Sequence, residues 1–383
     1  MADVRGKQAP PSDSAGKPAD GALAAPAAGR GGTMPAAGDA TAFANPLFRG
    51  ADPHAAVFGS KVWIYPTSAG GYRHDRFYAY CSSDLKHWPR HGPVLEFDDV
   101  RWIKDDGQPV HYAWAPAVVA RDGRFFFYFS VGPQGETPAR IGVAVGDNPA
   151  GPFKDCGRPL LTGGDGFEAI DPMVFADPRS GRYYLYAGGS AGATLRVFEL
   201  NDDLISLARE IKVATPRRFT EGAFMHYYGG RYHLTYSHGR WSDSSYSIHY
   251  ATADSPTGPW DYRGALLESD DHRKGPGHHS IIQSPLNGEW LMVYHRWEGV
   301  QGDGPYRGSR QVCIDRLEYD KEGFLKPVRM TGRKEDQSSV IPFSRPSTFP
   351  RSGFPSSVFA RSAIALHVPT VPRPVSKGPN IAN

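Results

Sequence analysis

An all-β chain folded as a five-bladed β-propeller is what this sequence predicts, and two observations predict it. A strand–turn–strand pattern recurs five times, and the composition favours short strands over helices. Gly (44) and Pro (34) are abundant among the 383 residues, and aromatics reach 12%. Such a chain is rich in turns and in residues that pack on pleated surfaces.

The five units are ADPHAAVFGSKVWIYPT (51–67), AWAPAVVARDGRFFFYFSVG (113–132), IDPMVFADPRSGRYYLYAGG (170–189), EGAFMHYYGGRYHLTYSHG (221–239) and HHSIIQSPLNGEWLMVYHR (278–296). Each is a short strand, a tight hairpin and an aromatic-rich strand. Their starts lie about 50 to 65 residues apart, the length of a four-stranded blade with its loops. The second halves repeat as well: IGVAVGDNPAGPFKD (141–155) matches IHYATADSPTGPWDY (248–262), an alternating strand followed by Asp-x-Pro-x-Gly-Pro and an aromatic. A β-sandwich or jelly roll needs no internal repeat of this length.

Outside these units the chain changes character. Residues 1–43 are Ala/Gly/Pro-rich with a single Phe, too apolar-poor to offset the entropy of ordering, and read as disordered. Residues 333–383 carry repeated prolines and read the same way. The propeller is therefore expected over 44–332, as one domain between two tails.

Composition excludes several functions. The formal net charge is +3, but the tail from Arg333 holds seven Lys/Arg against two acids, leaving residues 1–332 at about −2. That balance argues against a nucleic-acid partner. No apolar run approaches the roughly 18 residues of a membrane span, so no membrane partner is expected. The weakly apolar N-terminus gives no convincing secretion signal, and location and oligomeric state stay open. Three scattered cysteines (Cys81, Cys156, Cys313) form neither a disulfide framework nor a zinc motif.

In a propeller, the residues leading into each blade's first strand converge at one mouth of the central channel. Three units begin with an acid there: Asp52, Asp171 and Glu221. Each acid has a purely structural reading. Asp-Pro is a common turn, as Asp177-Pro178 inside a hairpin illustrates, and Glu221 could pair with Arg217 or Arg218. As a convergent set in one position they read differently. Partly desolvated carboxylates that repel one another have proton affinities pushed apart, the condition glycoside hydrolysis requires.

Several of these stretches, in this order, resemble glycoside hydrolase family 43 over about residues 46–330: ADPHAAVFGSKVWIY, WAPAVVARDGRFFFYFS, AIDPMVF, TEGAFMHYYGGRYHLTYS and GHHSIIQSPLNGEWLMVYHR, with CSSDLKHW and DNPAGPF as lesser matches. The resemblance implies a five-bladed inverting glycosidase acting on arabinose- and xylose-containing glycans. It implies Asp52 as general base, Glu221 as general acid and Asp171 as the residue that orients the acid and modulates its proton affinity. One departure is Ala223, where the family often has proline two residues after the acid.

The resemblance also implies supporting residues. His279 opens the fifth blade, where the family often places a histidine beside a structural calcium; the chemistry itself requires no cofactor. An isolated histidine is more often a satisfied polar residue than a ligand, and calcium prefers oxygen. Arg310 falls where an arginine contacts sugar and carboxylates, though nearby Arg307 and Arg316 suit a surface cluster equally. Trp114 could stack on a sugar or simply pack, and His54 could bind a sugar hydroxyl. The runs FFFYF (125–129) and YYLY (183–186) read as core. The expected substrate is a plant-type oligo- or polysaccharide, with terminal α-L-arabinofuranosyl units favoured and β-xylosides the nearest alternative. No WxNDPNG-like start suggests a fructan enzyme. A non-catalytic carbohydrate-binding propeller would not need three repelling acids, and a protein-binding scaffold would show more regular repeats.

Overall fold

The computed structural model describes residues 43–67, 74–134, 137–190 and 192–332; the two tails expected to be disordered lie almost wholly outside these. Among the described residues, twenty-one strands form five antiparallel sheets, and the only helical element is one 3-10 turn at Phe97–Asp99.

A two-residue strand, β1 (Phe48–Arg49), comes first in the chain but belongs to the last blade. Blade 1 is β2 (Ala51–Phe58), β3 (Lys61–Thr67), β4 (Arg76–Ser82) and β5 (Arg90–Glu96). Blade 2 is β6 (Tyr112–Arg121), β7 (Arg124–Gly132) and β8 (Arg140–Gly146), with β9 (Lys154–Asp155) and β10 (Leu161–Thr162) both paired to β8. Blade 3 is β11 (Met173–Ala176), β12 (Tyr183–Ala187), β13 (Arg196–Leu200) and β14 (Leu207–Ile211). Blade 4 is β15 (Glu221–Tyr228), β16 (Arg231–His238), β17 (Ser247–Ala253) and β18 (Asp261–Leu267). Blade 5 is β19 (Arg273–Gln283), β20 (Trp290–Glu298) and β21 (Gln311–Arg316), completed by β1, which pairs Phe48 with Val312 and Arg49 with Gln311.

The first strands of the blades meet in the order β2, β6, β11, β15, β19 and back to β2, which closes the ring. The N-terminal strand completes the last sheet, so the ring is fastened by backbone hydrogen bonds between the two ends of the propeller. Leu47 N–H donates to the Val312 carbonyl at 2.8 Å, and the Asn45 side chain both donates to the Ile314 carbonyl and accepts its N–H, each at 2.8 Å.

The aromatic runs follow from this layout. A blade lies between two neighbours and buries both faces, so its middle strands read as continuous apolar runs rather than alternating ones. In β7, Phe127 and Phe129 pack toward blade 1 with Tyr65, Phe77 and Phe153, while Phe126 and Tyr128 pack toward blade 3 with Val174, Leu185 and Phe198. Each such fully buried side chain contributes roughly 1.5–3 kcal/mol over an exposed one. These runs are core, as expected. The Asp177 control is also structural: its carboxylate accepts Arg179 N–H at 3.1 Å, the Ser180 hydroxyl at 2.5 Å and the Tyr232 hydroxyl at 2.8 Å.

The start of every blade carries one shared irregularity. Asp52, Ala115, Asp171, Gly222 and His278 all have left-handed backbone, with φ of 46°, 37°, 56°, 63° and 35°. In blades 1, 2, 4 and 5 the strand register shifts there, as at a β-bulge. Non-glycine residues rarely adopt such φ, and the strain is offset by a repeated contact. In four of the five, the N–H of the left-handed residue donates to a side chain on the second strand of the preceding blade: Asp52 to His295 Nδ1 (3.0 Å), Ala115 to Thr67 Oγ1 (2.6 Å), Asp171 to Ser130 Oγ (2.9 Å) and His278 to Ser237 Oγ (2.8 Å). Blade 4 departs from the pattern. The corresponding position on blade 3 is Gly188, so the Asp171 carboxylate accepts the Gly222 N–H instead, at 3.1 Å.

Candidate active site

These bulges position the site. A left-handed residue breaks the in–out alternation and turns two adjacent side chains toward the channel mouth. The cavity there, of about 350 Å³, is lined by Asp52, Asp171 and His278 from the left-handed positions, and by Trp114, Ile170 and Glu221 from the residues just before them. Glu221 is therefore not in the same blade position as Asp52 and Asp171, contrary to the expectation from sequence. It stands one residue earlier, and Gly222 takes the left-handed turn.

The three carboxylates converge but sit in different surroundings. Arg310 Nη1 is 2.8 Å from Asp52 Oδ1, and the same oxygen has His295 Nδ1 at 3.3 Å and His278 Nδ1 at 3.5 Å. Burial alone would raise the Asp52 carboxyl. Arg310, then His278, His295 and a hydrogen bond with Thr67 outweigh it and hold the group well below the usual carboxylate range. Asp171 lies at the opposite extreme. Burial, followed by the charges of Glu221 and Asp52, pushes its carboxyl well above the usual range, against the Gly222 N–H and Arg310.

Glu221 is buried and held by two hydroxyls: Tyr246 donates to Oε1 and Ser190 to Oε2, both at 2.6 Å. Neither Arg217 nor Arg218 neutralises it; Arg217 instead lies over the Tyr262 ring at 5.2 Å. His278 Nδ1 stands 3.5 Å from both Asp52 Oδ1 and Asp171 Oδ2, bridging the two acids. Burial lowers its proton affinity first, and the nearby Asp52 and Glu221 charges only partly restore it.

The supporting residues named from sequence divide. Arg310 and Trp114 line the cavity. Arg310 also lies 4.8 Å from the Trp241 ring centre, a cation–π contact. Trp114 runs nearly parallel to Tyr112 (5.8 Å, 8°) and covers Gly132, where an added Cβ would come within 2.2 Å of the indole. His54 and His279 do not line the cavity. His54 Nε2 pairs with the Val118 carbonyl at 3.0 Å, and His279 Nε2 with Thr235 Oγ1 at 2.6 Å. The bulge at His278 turns that residue, and not its neighbour, to the mouth. His279 is buried inside the ring, which lowers its proton affinity to about 3.

Sequence reasoning missed His278, Ser190, Tyr246, Trp241 and Trp297. The His-His pair was visible, but the side each ring takes depends on the bulge. Ser190, Tyr246 and Trp241 come from loops beyond the second strands, where no periodicity marks them, and Trp297 stands near the end of β20, where it reads as one more aromatic of a buried strand. Trp241 and Trp297 form a near-parallel pair (6.2 Å, 21°), joined by a hydrogen bond from Trp297 Nε1 to the Trp241 carbonyl at 3.0 Å.

A sequence model described as glycosyl hydrolases family 43 matches residues 43–325, all five blades. The chain belongs to glycosyl hydrolases family 43. As a family 43 member it is a glycoside hydrolase, and its relatives agree. It is 36% identical over 303 residues to a β-D-galactofuranosidase of Aspergillus niger, covering 75% of this chain and 85% of that one. It is 30% identical to a xylosidase/arabinosidase of Bacteroides ovatus, covering 74% of this chain and 96% of that one. Among solved structures, an α-L-arabinofuranosidase from Clostridium thermocellum superposes with a TM-score of 0.60 at 32% identity, covering 74% of this chain and 94% of that one.

Proposed function

We propose that the protein is an inverting, exo-acting glycoside hydrolase that releases terminal α-L-arabinofuranosyl units from arabinan- or arabinoxylan-type oligosaccharides. Asp52 acts as general base, Glu221 as general acid, and Asp171 orients Glu221. The observation that carries this reading is the opposite setting of two carboxylates in one cavity: Asp52 faces an arginine and two histidines, Glu221 faces two neutral hydroxyls.

The steps follow from those settings. Arg310 and the neighbouring histidines, outweighing burial, hold the Asp52 carboxyl well below the usual range, so it can take a proton from a water placed against the anomeric carbon. Glu221, held by two hydroxyls and without an ion pair among the described residues, is placed to pass a proton to the glycosidic oxygen as the C–O bond breaks. The water oxygen bonds the anomeric carbon from the face opposite the leaving group, giving a sugar of inverted configuration. Asp171 accepts the Gly222 N–H and so anchors the backbone next to Glu221. Burial and the charges of Glu221 and Asp52 raise the proton affinity of Asp171 itself.

No step draws on a metal. A calcium near His279 would have to be held largely through water: among the described residues no group of three or more His, Cys, Asp or Glu side chains could hold an ion. The feature there that suits a water is His279 Nδ1, which is buried without a hydrogen-bond partner.

A second reading has a specific observation behind it. The Aspergillus niger relative is named a β-D-galactofuranosidase, and β-D-galactofuranose shares the ring configuration of α-L-arabinofuranose, adding one hydroxymethyl group on C5. The β-xyloside alternative rests on the shared xylosidase/arabinosidase name. Hydrolysis of aryl α-L-arabinofuranoside, β-D-galactofuranoside and β-D-xyloside, with the first-formed anomer read by NMR, tests all three. The arabinofuranoside should be turned over fastest, with inversion. A faster galactofuranoside or xyloside reassigns the substrate, and a retained anomer overturns the base role of Asp52.

A further inference from the structure

Resting on the acid role of Glu221 above, we propose that Tyr246 is a positioning residue that fixes which oxygen of Glu221 carries the transferable proton. Its phenol occupies Oε1 and so confines the proton to Oε2, the oxygen on the side of Ser190. Tyr246 is outside the set of residues that line the cavity, whereas Ser190 is within it. Confinement therefore directs the proton toward the space where a glycosidic oxygen would lie.

Three features hold the phenol in place. Tyr246 is fully buried, in the turn leading into β17. One side of the ring meets Gly277, where an added Cβ would come within 2.0 Å of it. It also lies parallel to the His295 ring (5.6 Å, 9°), the imidazole that accepts the Asp52 N–H. The ring cannot swing away without a larger rearrangement of blade 5.

The proton on the phenol has a set direction. Ser237 Oγ accepts the His278 N–H at 2.8 Å and hydrogen-bonds the Tyr246 hydroxyl. Because the phenol's single proton is donated to Glu221 Oε1 at 2.6 Å, the hydrogen bond between the two hydroxyls takes its proton from the serine. The phenol then directs its proton at Glu221 Oε1. The resulting chain runs from His278 N–H through Ser237 and Tyr246 to Glu221, and each link polarises the next. Burial, then the Glu221 and Asp52 charges, keep the phenol protonated. Ser190 differs, because its hydroxyl can donate to a carboxylate or accept from the acid by rotating. It can follow the protonation of Glu221, while Tyr246 can only donate. The other groups facing Glu221 are Asp171 from blade 3 and His278 from blade 5, with Asp52 and Arg310 across the cavity.

The test is Tyr246→Phe, compared on an unactivated arabinofuranosyl disaccharide and a 2,4-dinitrophenyl arabinofuranoside. The former needs its leaving oxygen protonated and the latter hardly does. Activity should fall about 10-fold or more on the disaccharide and less than about 3-fold on the activated glycoside. The alkaline limb of kcat/KM should move to higher pH, since the variant loses a donor that favours the carboxylate. Equal losses on both substrates with an unmoved limb would overturn the proposal. If Tyr246→Phe does not fold, Ser237→Ala keeps the ring and frees the hydroxyl to rotate; it should show the same selective loss, and an unselective one counts against the proposal. Glu221→Gln, run in parallel, separates the two ideas. Equal losses in that variant on both substrates remove the acid role itself, whereas a selective loss there and none in Tyr246→Phe removes only the role of Tyr246.

Discussion

The two sides of the cavity solve opposite electrostatic problems with different chemistry. On the blade 1 side, Asp52 is surrounded by nitrogen: Arg310 at 2.8 Å, His295 at 3.3 Å and His278 at 3.5 Å, all measured to one oxygen. On the blade 4 side, Glu221 meets oxygen: the hydroxyls of Tyr246 and Ser190. Both carboxylates are buried to a similar degree, 8% and 7% exposed, so burial does not separate them. What separates them is the charge of the partner. A guanidinium pins a carboxylate in its ionised form. A hydroxyl satisfies the group's hydrogen bonds with no net charge and lets the proton come and go.

The sharpest way to break this contrast is to neutralise each acid in turn. Asp52→Asn should lower kcat/KM by about 10³-fold or more whatever the leaving group, because water still needs a base. Glu221→Gln should cost a similar factor on natural linkages and recover much of it on a dinitrophenyl glycoside. If both variants respond alike to leaving-group quality, the two sides of the cavity are not functionally distinct.

A milder perturbation leaves the acids in place and changes a partner. In Arg310→Met the largest influence lowering the Asp52 carboxyl is gone, and burial, which raises it, goes unopposed by the guanidinium. The base works ionised, so a higher proton affinity moves the acid limb of kcat/KM toward higher pH, with about a 10²-fold loss at neutral pH. The alkaline limb should stay where it was. A shift in the alkaline limb alone would mean that Arg310 serves the acid side instead.

Much of this contrast was legible in the sequence, and the illegible part has a common cause. Repeats of 50 to 65 residues exposed the blades, because every blade buries the same faces and so reuses the same strand chemistry. Asp52, Asp171 and Glu221 were found because each stands at the head of a repeat. Their relative register was not, because the left-handed residue is Asp52 and Asp171 themselves but Gly222, one residue past Glu221, and side chains reveal backbone φ only weakly. The bulge in blade 5 makes His278 face the cavity and leaves His279, the histidine singled out from sequence, inside the ring. Ser190, Tyr246 and Trp241 stand in connections between strands. They reach the cavity through the ring's closure, which no local spacing encodes. The closure itself was hidden because β1 is only two residues long.

The smallest predicted effect concerns stability and involves the third acid. Asp171 has its carboxyl raised by burial and by the neighbouring negative charges. An acid whose folded-state proton affinity exceeds its unfolded value favours folding at low pH. That advantage is lost as pH rises from its ordinary carboxylate range through the higher folded value, so at and above neutral pH the group works against the fold. Asp171→Asn keeps an oxygen to accept the Gly222 N–H and removes the charge that Asp52 and Glu221 repel. The variant should therefore melt higher by about 1–4 °C near neutral pH, with the difference shrinking toward pH 4, while its activity falls. Thermal denaturation of wild type and variant across pH 4–8 reads this directly. A variant that melts lower across the whole range would show that the Asp171 carboxylate is a structural anchor first, and that the contrast between the two sides of the cavity rests on Asp52 and Glu221 alone.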